Sequence, residues 1–220
     1  PPYGLVVDGQ GSVWVASISG PMAHIEPSKG DKVTITTASG CAYGIAADGQ
    51  GRIYNAGFNC LARYTPQTGT WEKLTDPSFG FLRGLAVDGR LGVWVADTSV
   101  GMHHIDASGP VMVKKGTAAV KNGGHTGAAI DFDDHPWLIS QGLSAAFRVN
   151  SNDYTTQKVA VGNGPYTYSD MTGYQLRNAA GKLDLSARYV QTFTACNGGL
   201  ASSGPAPLWA DLSWTAGLPA

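Results

Sequence analysis

A phrase of seven residues returns four times along the chain, and it limits the possible folds more than any other feature. Pro2-Tyr3-Gly4-Leu5-Val6-Val7-Asp8 recurs as Ala42-Tyr43-Gly44-Ile45-Ala46-Ala47-Asp48, as Leu82-Arg83-Gly84-Leu85-Ala86-Val87-Asp88 and as His125-Thr126-Gly127-Ala128-Ala129-Ile130-Asp131. The glycines at 4, 44, 84 and 127 stand 40, 40 and 43 residues apart. Six residues after each aspartate comes an aromatic: Trp14, Tyr54, Trp94 or Trp137. A fifth copy begins at Pro165-Tyr166-Thr167 and then loses the phrase. A fixed period of this size signals supersecondary units that bury their faces by stacking on one another.

One unit reads as four strands. Leu5 to Asp8 is a short apolar run, and Gly9-Gln10-Gly11 has hairpin-turn chemistry. Ser12 to Ser17 follows as a second strand, Met22 to Glu26 as a third and Val33 to Thr37 as an alternating, half-exposed fourth. Four strands per repeat of about 40 residues is the pattern of a β-propeller blade. The expected class is all-β, with blades at about 1–40, 41–80, 81–123 and 124–164 and no helix. Residues 168–220 depart from the period. They are expected to hold a closing strand, then a second β-rich module with strands at 188–194 and 208–214.

The wording "PYGLVVDGQGSVWVAS…HIEP" resembles the blades of virginiamycin B lyase-like (streptogramin lyase-type) propellers and, more loosely, NHL-repeat and gluconolactonase propellers. The likeness covers residues 1–167 and implies a ring of six or seven blades. An arc of four blades leaves two faces bare, so the expectation is a fragment of a larger ring. The start at Pro1-Pro2, with neither initiator Met nor signal peptide, agrees with truncation or processing.

Charge excludes two classes of partner. Fifteen Lys and Arg against sixteen Asp and Glu, with only 14% charged residues, give no footprint for nucleic acid. No apolar stretch approaches the roughly 18 residues of a transmembrane helix, so no membrane insertion is expected. The cysteines are Cys41, Cys60 and Cys196. If Asp48 faces Ile53 across the second hairpin, Cys41 falls opposite Cys60 at disulfide distance; the alternative is two idle thiols. A disulfide implies an oxidising compartment, extracellular or at the cell surface, and leaves Cys196 odd.

In a propeller the innermost strand lines the channel, and ligands meet the face where that strand begins and the second strand ends. The repeat places Tyr3, Tyr43, Arg83, Thr126 with His125, and Tyr166 at the first position, and Ser17, Gly57, Asp97 and Ser140 at the second. These positions vary within a constant frame. Tyr3, Tyr43, Arg83, Asp97, His125 and Tyr166 are therefore the candidate ligand-binding residues, for a glycan, small molecule or protein.

The lyase resemblance implies His at the positions of Tyr3, Tyr43, Arg83 and Thr126, and Glu ending the second strand, where such groups help to hold Mg²⁺ and act on the substrate. Only Asp97 offers a carboxylate there, and the chain's two glutamates, Glu26 and Glu72, lie outside that face. No cofactor is therefore expected in these blades, with Mg²⁺ or Ca²⁺ as the alternative. Asp131-Phe132-Asp133-Asp134-His135 could hold a cation, but it aligns with the recurrent turn aspartate and reads as a structural turn. His104 aligns with His24, Arg63 and Arg148, a frame position between blades. The leading expectation is a binding or scaffold propeller. A metal-dependent lyase or lactonase, its site in further blades, is the alternative, and a spacer without ligand is a third.

Overall fold

The computed structural model describes residues 2–37 and 39–167. Cys196 and the closing strand and second module expected over 168–220 lie outside the described residues. The chain forms four four-stranded antiparallel sheets, each laid down in sequence order without a crossover. Blade 1 holds β1 (Pro2–Val7), β2 (Val13–Ser17), β3 (Ala23–Glu26) and β4 (Lys32–Ile35). Blade 2 holds β5 (Gly44–Ala47), β6 (Ile53–Gly57), β7 (Cys60–Thr65) and β8 (Thr70–Thr75). Blade 3 holds β9 (Leu82–Val87), β10 (Gly92–Asp97), β11 (Gly101–Asp106) and β12 (Val113–Ala119). Blade 4 holds β13 (His125–Ile130), β14 (Pro136–Ser140), β15 (Ala145–Val149) and β16 (Thr156–Ala160). A 3₁₀ turn at Pro27–Lys29 is the helical element among the described residues. These are propeller blades, and the described residues form no closed ring.

The repeated aspartate builds the turn between first and second strands. Asp88 Oδ1 accepts the Arg90 and Gly92 backbone N–H groups, and its Oδ2 accepts the Trp94 indole N–H at 2.8 Å. Asp8 does the same with Gln10, Ser12 and Trp14, and Asp131 with Asp133, His135 and Trp137. Asp48 binds Gln50, Arg52 and the Tyr54 hydroxyl. The fourth turn residue takes a left-handed φ in every copy: Gly11, Gly51, Leu91 and Asp134. This is a three-residue hairpin built on a type I turn. It corrects the expected register: Asp48 N–H donates to the Arg52 carbonyl, so Asp48 faces Arg52, and Ala47, not Asp48, faces Ile53.

Blades meet through their innermost strands at backbone distance. A Cβ on Gly44 would stand 2.0 Å from the Arg83 carbonyl oxygen, and one on Gly127 would stand 2.2 Å from that of Thr167. Large side chains fill the space further out. Tyr54, Leu61, Leu82, Leu85, Val93 and Ile105 pack between blades 2 and 3, and Trp94, Met102, Ile130, Leu138, Phe147 and Val149 between blades 3 and 4. Trp14, Met22, Ile45 and Ile53 pack between blades 1 and 2. Among the described residues nothing covers the other side of blade 1: Leu5 is 62% exposed, whereas its counterpart Leu85 is fully buried.

The aligned frame position ties neighbours together. His104 stacks on Trp94 with ring centroids 4.1 Å apart, and its Nδ1 shares a hydrogen bond with the Tyr154 hydroxyl of blade 4. Arg63 pairs with Glu72 and donates to the Ala107, Gly109 and Pro110 carbonyls of blade 3.

Candidate functional site

Four of the six candidate ligand residues converge at the mouth where the innermost strands begin. The Tyr3 hydroxyl lies 3.0 Å from that of Tyr43 and 3.1 Å from that of Tyr166, and the Tyr3 and Tyr43 ring centroids are 4.8 Å apart. The Arg83 guanidinium lies over the Tyr43 and Phe81 rings, 5.8 and 5.2 Å from their centroids. Tyr3, Leu5, Tyr43, Ile45, Tyr166 and Thr167 line a cavity of about 460 Å³. Burial raises the pKa of all three tyrosines. Their hydroxyls therefore keep their protons at neutral pH and can both donate and accept.

Asp97 and His125, the other two candidates, are not among the residues that converge there. Both are fully buried. Asp97 accepts the backbone N–H groups of Gly80, Ser99 and Val100, and its Oδ2 lies 3.5 Å from His103 Nε2. Burial pushes its carboxyl up, but His103 and the backbone donors outweigh burial and hold its pKa below the usual value. His125 donates through Nε2 to the Val120 carbonyl, and burial lowers its pKa against that bond. Thr126, beside it, is also fully buried.

The end of the second strand proves to be a fastening point for the segment that leads into the first. Asp97 holds Gly80 there, and Ser140 Oγ donates to the Gly123 carbonyl. Gly57 lies under the backbone of residues 41 and 42, where a Cβ would stand 2.7 Å from the Ala42 nitrogen. Ser17 caps its own turn through Gly20 N–H. In blade 2 the same junction carries a disulfide joining Cys41 to Cys60, with Cα atoms 5.6 Å apart. Cys60 opens β7 and pairs with Gly57 across a tight turn, so the bond reaches the third strand rather than the second.

The turn at Asp131, Asp133 and His135 brings three potential metal-ligand atoms within 4.8 Å of one another. Asp131 spends its oxygens on the turn and on Trp137, as its counterparts do. Arg148 lies 2.7 Å from His135 Nε2, which sets a cation beside the ring. This donor set does not fit Mg²⁺ or Ca²⁺. A second cavity, of about 410 Å³, opens at the far end between blades 3 and 4. It mixes Asp88, Asp106 and Asp134 with Arg90 and Lys115.

Sequence reasoning missed Phe81, which backs Arg83 at the mouth. Its signal was alternation along the strand, since residues 81 and 83 share a face, but it lies outside the repeated phrase.

No family model matches this chain, and neither does any curated protein. Solved structures do. Virginiamycin B lyase from Staphylococcus aureus, crystallised with quinupristin, aligns with a TM-score of 0.61 at 15% identity, over 72% of this chain and 55% of that one. A streptogramin B lyase aligns at 0.64 and 16%, over 75% and 57%. A gluconolactonase from Xanthomonas campestris aligns at 0.59 and 14%, over 74% and 63%. The fold is that of a streptogramin lyase-like β-propeller, and the chain spans little more than half the length of the lyases it resembles.

Proposed function

We propose that this chain is a ligand-binding propeller module whose site is the tyrosine-lined mouth. The observation that carries this reading is the convergence of Tyr3, Tyr43 and Tyr166, from three separate repeats, beside Arg83. Phenol rings offer flat apolar faces with polar edges, a combination suited to a sugar or another small ring. The nearby groups able to move protons, Asp97, His103 and His125, are buried and engaged in the fold. The disulfide supports an extracellular or cell-surface setting.

The test is a binding screen of neutral and acidic glycans and small molecules against the full chain and a Tyr3→Ala, Tyr166→Ala double variant, the two exposed rings of the cluster. A hit that the double variant loses, with its thermal melt unchanged, supports the reading. A hit that both proteins keep removes the mouth from consideration. The second reading is a metal-dependent lyase or lactonase, favoured by the fold shared with the S. aureus enzyme. It needs carboxylates and a His on the channel face of other blades. Turnover of a streptogramin B or an aldonolactone with added Mg²⁺ would favour it over binding.

A further inference from the structure

Arg83 carries a charge that the mouth does not balance. Among the described residues no carboxylate lies within ion-pair distance of it, whereas Arg52, Arg63 and Lys114 sit against Asp48, Glu72 and Asp76. Its Nε is buried without an acceptor. Two rings hold the guanidinium in place, a contact that steadies a cation without neutralising it. Its field reaches all three tyrosine hydroxyls of the cluster. The residues lining the cavity under the tyrosines, Gly4, Gly44 and the six side chains named above, include no charged group.

A fixed planar guanidinium beside hydroxyl donors is the arrangement that takes an oxyanion through charge-assisted hydrogen bonds. The cavity lined by Tyr43, the ring over which the guanidinium lies, has about 460 Å³, far exceeds an inorganic ion and accommodates a ring. A cavity of this volume favours such a ligand over a protein surface, which needs a broad patch.

We propose that the mouth binds an acidic glycan, with a uronate carboxylate on Arg83 and the sugar ring against Tyr3, Tyr43 and Tyr166. This rests on the binding reading above and specifies its ligand.

The experiment is an NMR titration of the full chain with D-glucuronate, D-glucose, inorganic sulfate and triglutamate. Glucuronate is expected to bind about tenfold or more tighter than glucose, the range for a hydrogen bond to a charged group. Its advantage should shrink as salt rises, while glucose binding stays level. Arg83→Gln should erase the difference, and Arg83→Lys, which keeps the charge, should retain part of it. Matching melts exclude misfolding. Equal affinity for glucuronate and glucose overturns this inference and leaves the binding reading standing. Failure of both sugars overturns the inference, and the binding reading falls with it only if the wider screen also yields no ligand. Sulfate binding as tightly as glucuronate makes the mouth a plain anion site, and triglutamate binding more tightly makes it a peptide site; either result overturns the inference.

Discussion

The hydroxyls of Tyr3 and Tyr166 lie 3.1 Å apart, although 163 residues of chain separate them. Each is the second residue of its repeat phrase, so the contact joins equivalent positions across the channel mouth. Tyr3 and Tyr166 are open to water, 38% and 53% exposed, whereas Tyr43 is buried. Hydrogen bonds in such a setting contribute little net stability. Tyr3→Phe should therefore change unfolding free energy by no more than about 1 kcal/mol in urea titrations, and a larger loss would show the cluster to be structural.

Asp88 is the opposite case. Asp88→Ala removes three acceptor contacts and leaves the buried Trp94 N–H without a partner. The expected loss is about 2–4 kcal/mol, read from the urea midpoint, with one orphaned buried donor alone accounting for about 1–3. Asp88→Asn should not rescue it fully, because an amide N–H would face either the indole or the backbone donors.

Gly44→Ala should destabilise by about 2 kcal/mol or more, since its Cβ would meet the Arg83 backbone first and the Leu85 side chain next. Gly30→Ala is the comparison: nothing lies within 4 Å of the new Cβ, and the loss, about 1–2 kcal/mol, comes from its left-handed φ of 70° alone. Double variants should show Gly44 coupled to Leu85 and Gly30 coupled to neither.

Stability should fall in two steps on acidification. His24, His104 and His125 have pKa values held by burial below the usual 6.5. Just below pH 6.5 the unfolded chain takes up protons that the native chain refuses, so unfolding becomes easier as pH drops. Asp97 and Asp131 sit below the usual 3.8, because their hydrogen bonds outweigh burial. Their contribution is full above that value and is lost as pH falls from it through their lower native pKa values. Denaturation midpoints between pH 8 and 3 check both steps, and His104→Gln should flatten the first.

Alkylation of the unfolded, unreduced chain should leave the Cys41 and Cys60 peptides unlabelled in mass spectra. Reduction should then cost about 3 kcal/mol for a separation of 19 residues.

The period, the four strands per blade and the turn aspartates were legible because each depends on contacts within a few residues. Asp8 to Trp14 is a closed local circuit, and it prints itself into the text at a spacing of six. The fate of Asp97 and His125 was not legible. Asp97 is engaged by Gly80, 17 residues earlier, and His125 by the Val120 carbonyl outside its strand. Nothing in the repeat phrase records those partners. The cysteine pair was reached through a register one residue out, because the turn at Asp48 closes on Arg52. The mouth was half legible: the repeat gave Tyr3, Tyr43, Arg83 and Tyr166 equivalent places, while Phe81 entered through strand alternation alone.

The side of blade 1 that no described residue covers sets the order in which the molecule loosens. Strands β9 and β10 are covered on both faces, whereas β1 holds Leu5 in water and β4 is exposed throughout. Every sheet is closed within its own stretch of sequence, so one blade can open without unthreading the next. Amide protons of blade 1 should accordingly exchange with deuterium through partial openings, at a fraction of the global free energy, while those of blade 3 wait for the whole molecule to unfold.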